Sequence, residues 1–124
     1  MPPTILVVDD EPAIRDLVSV LLEDAGYTVC SAPDGLAAVE AVARDSPDLV
    51  ITDLYMPGLD GLGLIARLRS ERPHLPIVVL SAALRVSPPA GVPFVAKPLD
   101  VGTLLAVIAG NTSGQQLGDA VEPR

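Results

Sequence analysis

Three aspartates stand directly after two short apolar runs, and their chemistry suggests a cation site. Asp9 and Asp10 follow the run at 5–8, and Asp53 follows the run at 49–52. Carboxylates that meet at one place repel each other, which raises their proton affinity unless a cation joins them. Mg2+ accepts one or two carboxylates, a backbone carbonyl and several waters. A grouping of these acids therefore predicts a magnesium site.

A serine and a lysine follow two further apolar runs, and they add groups suited to phosphoryl chemistry. Ser81 follows the run at 77–80, and Lys97, the only lysine of the chain, follows the run at 94–96. A carboxylate can attack a phosphoryl donor and form an acyl phosphate, and this transfer needs mainly positioning and charge neutralisation. The ammonium and a metal would supply positive charge, and the hydroxyl could bind a phosphoryl oxygen.

The pattern of the sequence alternates between strands and helices. Short apolar runs predict buried strands at 5–8, 27–30, 49–52, 77–80 and 94–96. Apolar residues at helical spacing predict helices from Pro12 to near Gly26 and over 34–44, 62–72 and 101–109. We therefore expect an α/β domain with a doubly wound, five-stranded parallel sheet. Ligands of such sheets bind outside the carboxyl ends of the strands, which is where these chemical groups fall.

Each of these residues, taken alone, has an ordinary structural explanation. The acids at 9–11 could cap a helix, and Asp53 could be a loop aspartate before a turn. Ser81 could bond to a neighbouring backbone group, and Lys97 could be a solvated surface residue. Because parallel strands bring their carboxyl ends to one edge, the joint arrangement favours a functional site over four separate structural roles.

Composition and charge exclude several functions. The formal net charge is −8 and no basic stripe is present, so direct binding to nucleic acid is not expected. No apolar run approaches the ~20 residues that cross a bilayer, and no secretory leader is recognisable at the N-terminus. Cys30 is the single cysteine and cannot form an internal disulfide. These features predict a cytoplasmic protein that does not engage a membrane.

Two segments depart from the regular alternation. The segment 82–93 contains Pro88, Pro89, Gly91 and Pro93, so its second half cannot be helical. A fourth helix in this segment should therefore be short or missing. The polar stretch 111–124 has no periodicity, which predicts one domain over 1–110 followed by a flexible C-terminal tail or linker.

Four segments, in this order, resemble motifs of the response-regulator receiver domains of two-component signalling. They are Ile5-Leu-Val-Val-Asp-Asp-Glu11, Leu49-Val-Ile-Thr-Asp53-Leu-Tyr-Met-Pro57-Gly58 with Asp60-Gly61, Val79-Leu-Ser81-Ala82 and Phe94-Val-Ala-Lys97-Pro98. The similarity extends over about 3–110. It implies a flavodoxin-like sheet of order 2-1-3-4-5 and a phosphorylation-dependent bacterial signalling switch rather than a conventional enzyme, although the domain would assist its own phosphorylation and dephosphorylation.

The resemblance also implies the ligands of a magnesium ion. Asp10 and Asp53 would bind Mg2+ directly, together with the backbone carbonyl of Tyr55. Asp9 would bind the ion through water.

The resemblance further implies which residues accept and bind the phosphoryl group, and which proteins donate it and respond to it. Asp53 would be the phosphoacceptor, Lys97 would pair with it and then with the phosphoryl group, and Ser81 would bond a phosphoryl oxygen. Phe94 would turn inward as Ser81 shifts, which relays the signal. A histidine kinase or phosphotransfer protein would be the donor, and a protein would be the downstream partner.

Ser81 and Lys97 are 16 positions apart, fewer than is usual in the family. The fourth helix normally forms part of the output and dimer surface, so this chain is expected to signal through an altered surface there or through another face. A homodimer, if one forms, would use a non-standard face.

Two alternatives come from other functional classes. One is a phosphate-independent interaction module with the same fold, which the complete set of site residues disfavours. The other is a phosphohydrolase with an aspartate nucleophile, of the dehalogenase type. Such enzymes usually carry a second aspartate two positions after the nucleophile, where this chain has Tyr55, so a neighbouring general acid is lacking.

Overall fold

The protein is described by a computed structural model over residues 2–81, 89–97 and 100–117, with side chains up to residue 112. Its elements, in chain order, are β1 (Thr4–Val8), α1 (Pro12–Asp24), β2 (Thr28–Ala32), α2 (Gly35–Asp45), β3 (Leu49–Thr52), α3 (Gly61–Glu71), β4 (Ile77–Ser81), β5 (Phe94–Ala96) and α4 (Val101–Leu117). The strands form one parallel sheet of order β2-β1-β3-β4-β5, which confirms the expected order.

Alternating side chains of the central strands build a separate core on each face of the sheet. In β1, Leu6 and Val8 pack under α2 and α3, whereas Ile5 and Val7 pack under α1 and α4. All four residues of β3 are buried, as expected for a strand that is covered on both faces. The two cores hold the carboxyl ends of β1, β3 and β4 at a common rim of the sheet.

Polar residues define where α2 and α3 begin. The carboxylate of Asp34 accepts a hydrogen bond from the N–H of Ala37 at 2.8 Å and so caps α2. The carboxylate of Asp60 accepts one from the N–H of Gly63 at 2.9 Å, so α3 begins at Gly61, one residue before the predicted start. Both helices therefore have fixed first turns at the rim where the candidate residues lie.

The last helix is longer than the sequence pattern predicts. Instead of ending near residue 110, α4 continues to Leu117. Asn111 and Thr112 donate side-chain hydrogen bonds to the carbonyls of Val107 and Ile108, at 2.7 and 3.0 Å, and Thr112 is buried. Both residues are thus part of α4, with side chains bonded to the preceding turn, and the predicted tail is wrong for 111–117. Residues 118–124 lie outside the described part.

The connection between β4 and β5 is only partly described. The predicted short or missing helix falls on residues 82–88, which lie outside the described residues. In the part that follows, the N–H of Val92 donates to the carbonyl of Pro89 at 3.1 Å, and Gly91 has a φ of 80°. This is a turn, as the prolines indicated, and Arg69 of α3 donates to the carbonyl of Ala90 within it. None of the described helices is both long and apolar enough to cross a membrane.

Candidate functional site

Parallel pairing continues one residue beyond three strands and fixes the residues of the rim. The N–H of Asp9 donates to the carbonyl of Ala32 at 3.3 Å, and the N–H of Asp53 donates to the carbonyl of Val8 at 3.1 Å. The N–H of Lys97 donates to the carbonyl of Ser81 at 3.0 Å. Each of these backbones is therefore held by the neighbouring strand, which makes the site rigid at its base.

Asp53 has a buried carboxylate with hydrogen-bond donors at both oxygens. Its Oδ1 accepts from the N–H of Leu54 at 2.7 Å, from the N–H of Tyr55 at 3.3 Å and from the hydroxyl of Ser81 at 3.0 Å. Its Oδ2 lies 3.0 Å from Nζ of Lys97. The residue is 8 % exposed, so the carboxylate is largely shielded from water. Donors at both oxygens fix the orientation of the carboxylate.

Lys97 is the ammonium at the centre of the acids. Its Nζ lies 3.0 Å from Oδ2 of Asp9, 3.0 Å from Oδ2 of Asp53 and 4.0 Å from Oε1 of Glu11. Burial lowers the pKa of Lys97, but hydrogen bonds to Asp9 and Asp53 and their negative charges outweigh that effect. The pKa is raised overall, so the ammonium stays charged throughout the neutral range.

Three carboxylates at this rim form a group that fits a hard cation. One oxygen from each of Asp9, Asp10 and Asp53 lies within 4.8 Å of the other two. All are oxygen donors, as Mg2+ prefers, and Asp10 is exposed, so water can complete the coordination. Lys97 supplies one positive charge against three negative ones. The charge that remains unneutralised is consistent with a divalent ion.

The remaining candidate residues lie near this group in different ways. Tyr55 is 39 % exposed, and its backbone N–H bonds to Asp53. Phe94 is half-buried against the core under α2 and α3, and it pairs in register with Val79, two residues before Ser81. The structure therefore brings Asp9, Asp10, Asp53, Ser81 and Lys97 together and leaves Phe94 at the side of the sheet.

Three supporting residues were not singled out from the sequence. Arg15 donates from Nη1 to the carbonyl of Asp9 at 2.8 Å, and the hydroxyl of Thr52 donates to the carbonyl of Asp53 at 2.8 Å. A Cβ on Gly61 would overlap the carbonyl oxygen of Asp53, so only glycine fits there. The Asp60-Gly61 pair of the family motif was a signal for the last of these. No sequence pattern marked Arg15 or Thr52.

Comparison with known proteins agrees with this geometry. The family model described as "Response regulator receiver domain" matches residues 5–109, which is most of the chain. The chain belongs to the response regulator receiver domain family. Receiver domains are phosphorylation-dependent switches of two-component systems, and the family is a phosphoacceptor switch rather than a classical enzyme. They bind Mg2+ at a cluster of aspartates such as the one found here.

Two curated bacterial relatives illustrate the extent of the similarity. The response regulator MprA of Mycolicibacterium vanbaalenii is 47% identical over 87 residues, which cover 70% of this chain and 38% of MprA. The DNA-binding dual master transcriptional regulator RpaA of a Synechocystis species is 37% identical over 112 residues, which cover 84% of this chain and 46% of RpaA. This receiver chain thus matches less than half the length of either relative.

A solved structure extends the similarity to the whole fold. The response regulator protein TrrA of Thermotoga maritima, determined in complex with Mg2+ and BeF, superimposes with a TM-score of 0.83 at 32% identity. The match covers 90% of this chain and 99% of TrrA. A receiver with the same fold therefore binds the ion that the present carboxylates fit.

Proposed function

We propose that Asp53 of this receiver accepts a phosphoryl group, with Lys97 and Ser81 as its partners in the transfer. The observation that carries this proposal is the arrangement of donors on a buried carboxylate: Lys97 Nζ on one oxygen and the Ser81 hydroxyl on the other, both at 3.0 Å. Such donors can bind the oxygens of an arriving phosphoryl group, where negative charge must be neutralised.

In the transfer, a carboxylate oxygen of Asp53 forms a bond to the phosphorus of the donor. The bond from phosphorus to the leaving group breaks, and that group departs with the electron pair. Both oxygens of Asp53 are already hydrogen-bonded, so Lys97 and Ser81 exchange these contacts for phosphoryl oxygens as the new bond forms. The shift of Ser81 opens space into which Phe94 turns, and this change of surface is the signal.

Asp10, Asp53 and the backbone carbonyl of Tyr55 would hold Mg2+ directly, and Asp9 would hold it through water. This division of roles is supported by the hydrogen bonds of Asp9, whose Oδ1 accepts from the N–H of Glu11 and whose Oδ2 contacts Lys97. Asp10 is exposed and so accessible to an ion. When bound, the ion neutralises negative charge on the phosphoryl oxygens.

The partners follow from membership of the receiver family. The donor is a histidine kinase or a phosphotransfer protein, which implies a cytoplasmic location, and the domain assists its own phosphorylation and dephosphorylation. A downstream protein reads the changed surface, either around the connection between β4 and β5 or on another face. Any homodimer uses a non-standard face, and a dimer built on a well-formed helix between β4 and β5 would contradict this part of the proposal.

Intact-mass measurement after incubation with acetyl phosphate and Mg2+ tests the central claim. The wild type should gain one phosphoryl group, and Asp53→Asn should gain none. Asp45→Asn is the matched control, because Asp45 contacts Arg44 on the surface, and it should behave as the wild type. EDTA should suppress the adduct. A folded wild type that takes up no phosphoryl group would favour the phosphate-independent interaction module, and turnover of a phosphate ester beyond one equivalent would favour a hydrolase.

A further inference from the structure

The loop between β3 and α3 supplies backbone donors to Asp53. The N–H groups of Leu54 and Tyr55 both reach Oδ1 of that carboxylate. The direction of these two N–H groups depends on where the loop backbone lies, because a backbone N–H lies in its peptide plane and cannot rotate independently. Whatever fixes the loop 54–60 therefore also orients the carboxylate.

Leu59 packs between two helix starts at the far end of this loop. A Cβ on Gly35, the first residue of α2, would overlap the carbonyl oxygen of Leu59 and lie 2.9 Å from its Cβ. A Cβ on Gly63, in the first turn of α3, would lie 2.7 Å from Cδ1 of Leu59. Leu59 thus occupies the space that two side chains would otherwise fill.

The two helix starts that contact Leu59 have ordered first turns. Asp34 caps α2 and Asp60 caps α3, so the backbone of each first turn is held by a hydrogen bond within its own helix. Glycine is disfavoured relative to alanine within helices, yet glycine stands at both contact positions. The close approach of the Leu59 backbone accounts for the glycine at 35, and the side-chain tip of Leu59 lies against the glycine at 63.

We propose that Leu59 is a positioning residue for Asp53. Its Cγ and Cδ1, which alanine lacks, would lie 3.0 Å from a Cβ on Gly35 and 2.7 Å from a Cβ on Gly63. This packing holds the loop 54–60 in place, so that the N–H groups of Leu54 and Tyr55 keep the carboxylate oriented. This inference rests on the proposed role of Asp53 as phosphoacceptor, and it adds a residue that touches neither the phosphoryl group nor the metal.

The main test compares Leu59→Ala with Leu75→Ala. Both leucines are half-buried and pack against the same core, but Leu75 precedes β4 at the opposite rim of the sheet. At a temperature where both variants are fully folded, Leu59→Ala should be phosphorylated by acetyl phosphate about tenfold more slowly, since small displacements of reacting groups lower rates strongly. Leu75→Ala should keep the wild-type rate. Equal rates in the two variants would overturn the proposal.

A second variant keeps the test decisive if Leu59→Ala folds poorly. Gly63→Ala displaces only the tip of Leu59, so it should slow phosphorylation in the wild type but not further in a Leu59→Val background, which lacks Cδ1 but keeps more of the buried side chain. Equal slowing in both backgrounds would show that the contact with Leu59 is not the cause.

Backbone NMR separates this inference from the proposed function. Leu59→Ala should shift the amide signals of Leu54 and Tyr55 more than Leu75→Ala does, with or without a phosphoryl donor. Unchanged signals would overturn the positioning role even if Asp53 is phosphorylated normally. A wild type that is never phosphorylated would instead overturn the proposed function.

Discussion

Lys97 is the residue on which the charge balance of the site depends. It contacts Asp9 and Asp53 at 3.0 Å each, and it is the only cation that the described residues place on them. Removing one partner from a buried ion pair costs more than the pair contributes, because the remaining charge stays out of water without compensation. The same ammonium competes with a metal ion for these carboxylates.

Lys97→Met should lower the free energy of unfolding by about 3 kcal/mol in EDTA, because two buried carboxylates lose their cation. Mg2+ should then restore stability by more in the variant than in the wild type, since the ion no longer competes with an ammonium. Urea unfolding followed by circular dichroism, with and without Mg2+, measures both effects. Arg67→Met, which removes an exposed pair with Glu71, is the control and should cost less than about 1 kcal/mol.

The difference in the free energy of unfolding between the wild type and Lys97→Met should depend on pH in a definite direction. The pKa of Lys97 is raised in the folded state, so its contribution is fully present below the unfolded pKa of about 10.4. The contribution is lost as the pH rises through the higher folded pKa. In EDTA, the wild type should thus remain more stable than Lys97→Met by a constant amount from about pH 7 to 9, and this difference should disappear only above about pH 10. A gap that closes near pH 8 would contradict the charged state assigned to Lys97.

Element contacts decide where glycine is required and where it is merely tolerated. Gly61 begins α3 directly against the backbone of Asp53 and Leu54, whereas a Cβ on Gly110 of α4 would meet nothing within 4 Å. Both residues are helical, so helix propensity treats them alike. The difference lies only in what is packed against each of them.

Opposite effects are therefore expected from the same substitution at these two positions. Gly61→Ala should lower the free energy of unfolding by about 2 kcal/mol, because the added methyl group displaces the backbone of Asp53. It should also impair phosphorylation. Gly110→Ala should raise stability by about 0.5 kcal/mol through the lower entropy of the unfolded chain. Urea midpoints check both values, and a stable, active Gly61→Ala protein would refute the close approach.

At the scale of the whole molecule, negative charge favours the binding of cations. The formal net charge is −8, and three carboxylates gather at one rim. Monovalent salt should screen the general repulsion to a similar extent in any variant of equal charge. A specific ion site adds a stabilisation that depends on particular residues, so the two effects can be separated by mutation.

Mg2+ should stabilise the fold by about 1.4 kcal/mol when its free concentration is ten times its Kd. Asp10→Asn should abolish most of this gain, because it removes a carboxylate that is open to the ion. Asp24→Asn, an equal change of charge at the exposed end of α1, should leave the gain intact. Thermal unfolding across a Mg2+ titration at constant ionic strength measures the difference. Equal responses of the two variants would indicate screening alone.

The sequence by itself determined the order of elements and most of the candidate site. Short apolar runs predict buried strands, and parallel strands bring their carboxyl ends to one rim of the sheet. The sequence therefore predicts that Asp9, Asp53, Ser81 and Lys97 lie close together. The structure confirms that they meet. The end of α4 could not be predicted, because the stretch from 111 to 117 is mostly polar and has no helical period, although its backbone is helical to Leu117.

Only the tertiary structure decided how the site is supported. Arg15 of α1 reaches the carbonyl of Asp9, which follows β1, and Leu59 packs against Gly35 of α2 and Gly63 of α3. The physical reason is that periodicity records which face of an element is buried, whereas these contacts join side chains to the backbone of other segments. Such contacts depend on distances between packed elements, which no local pattern of residues specifies.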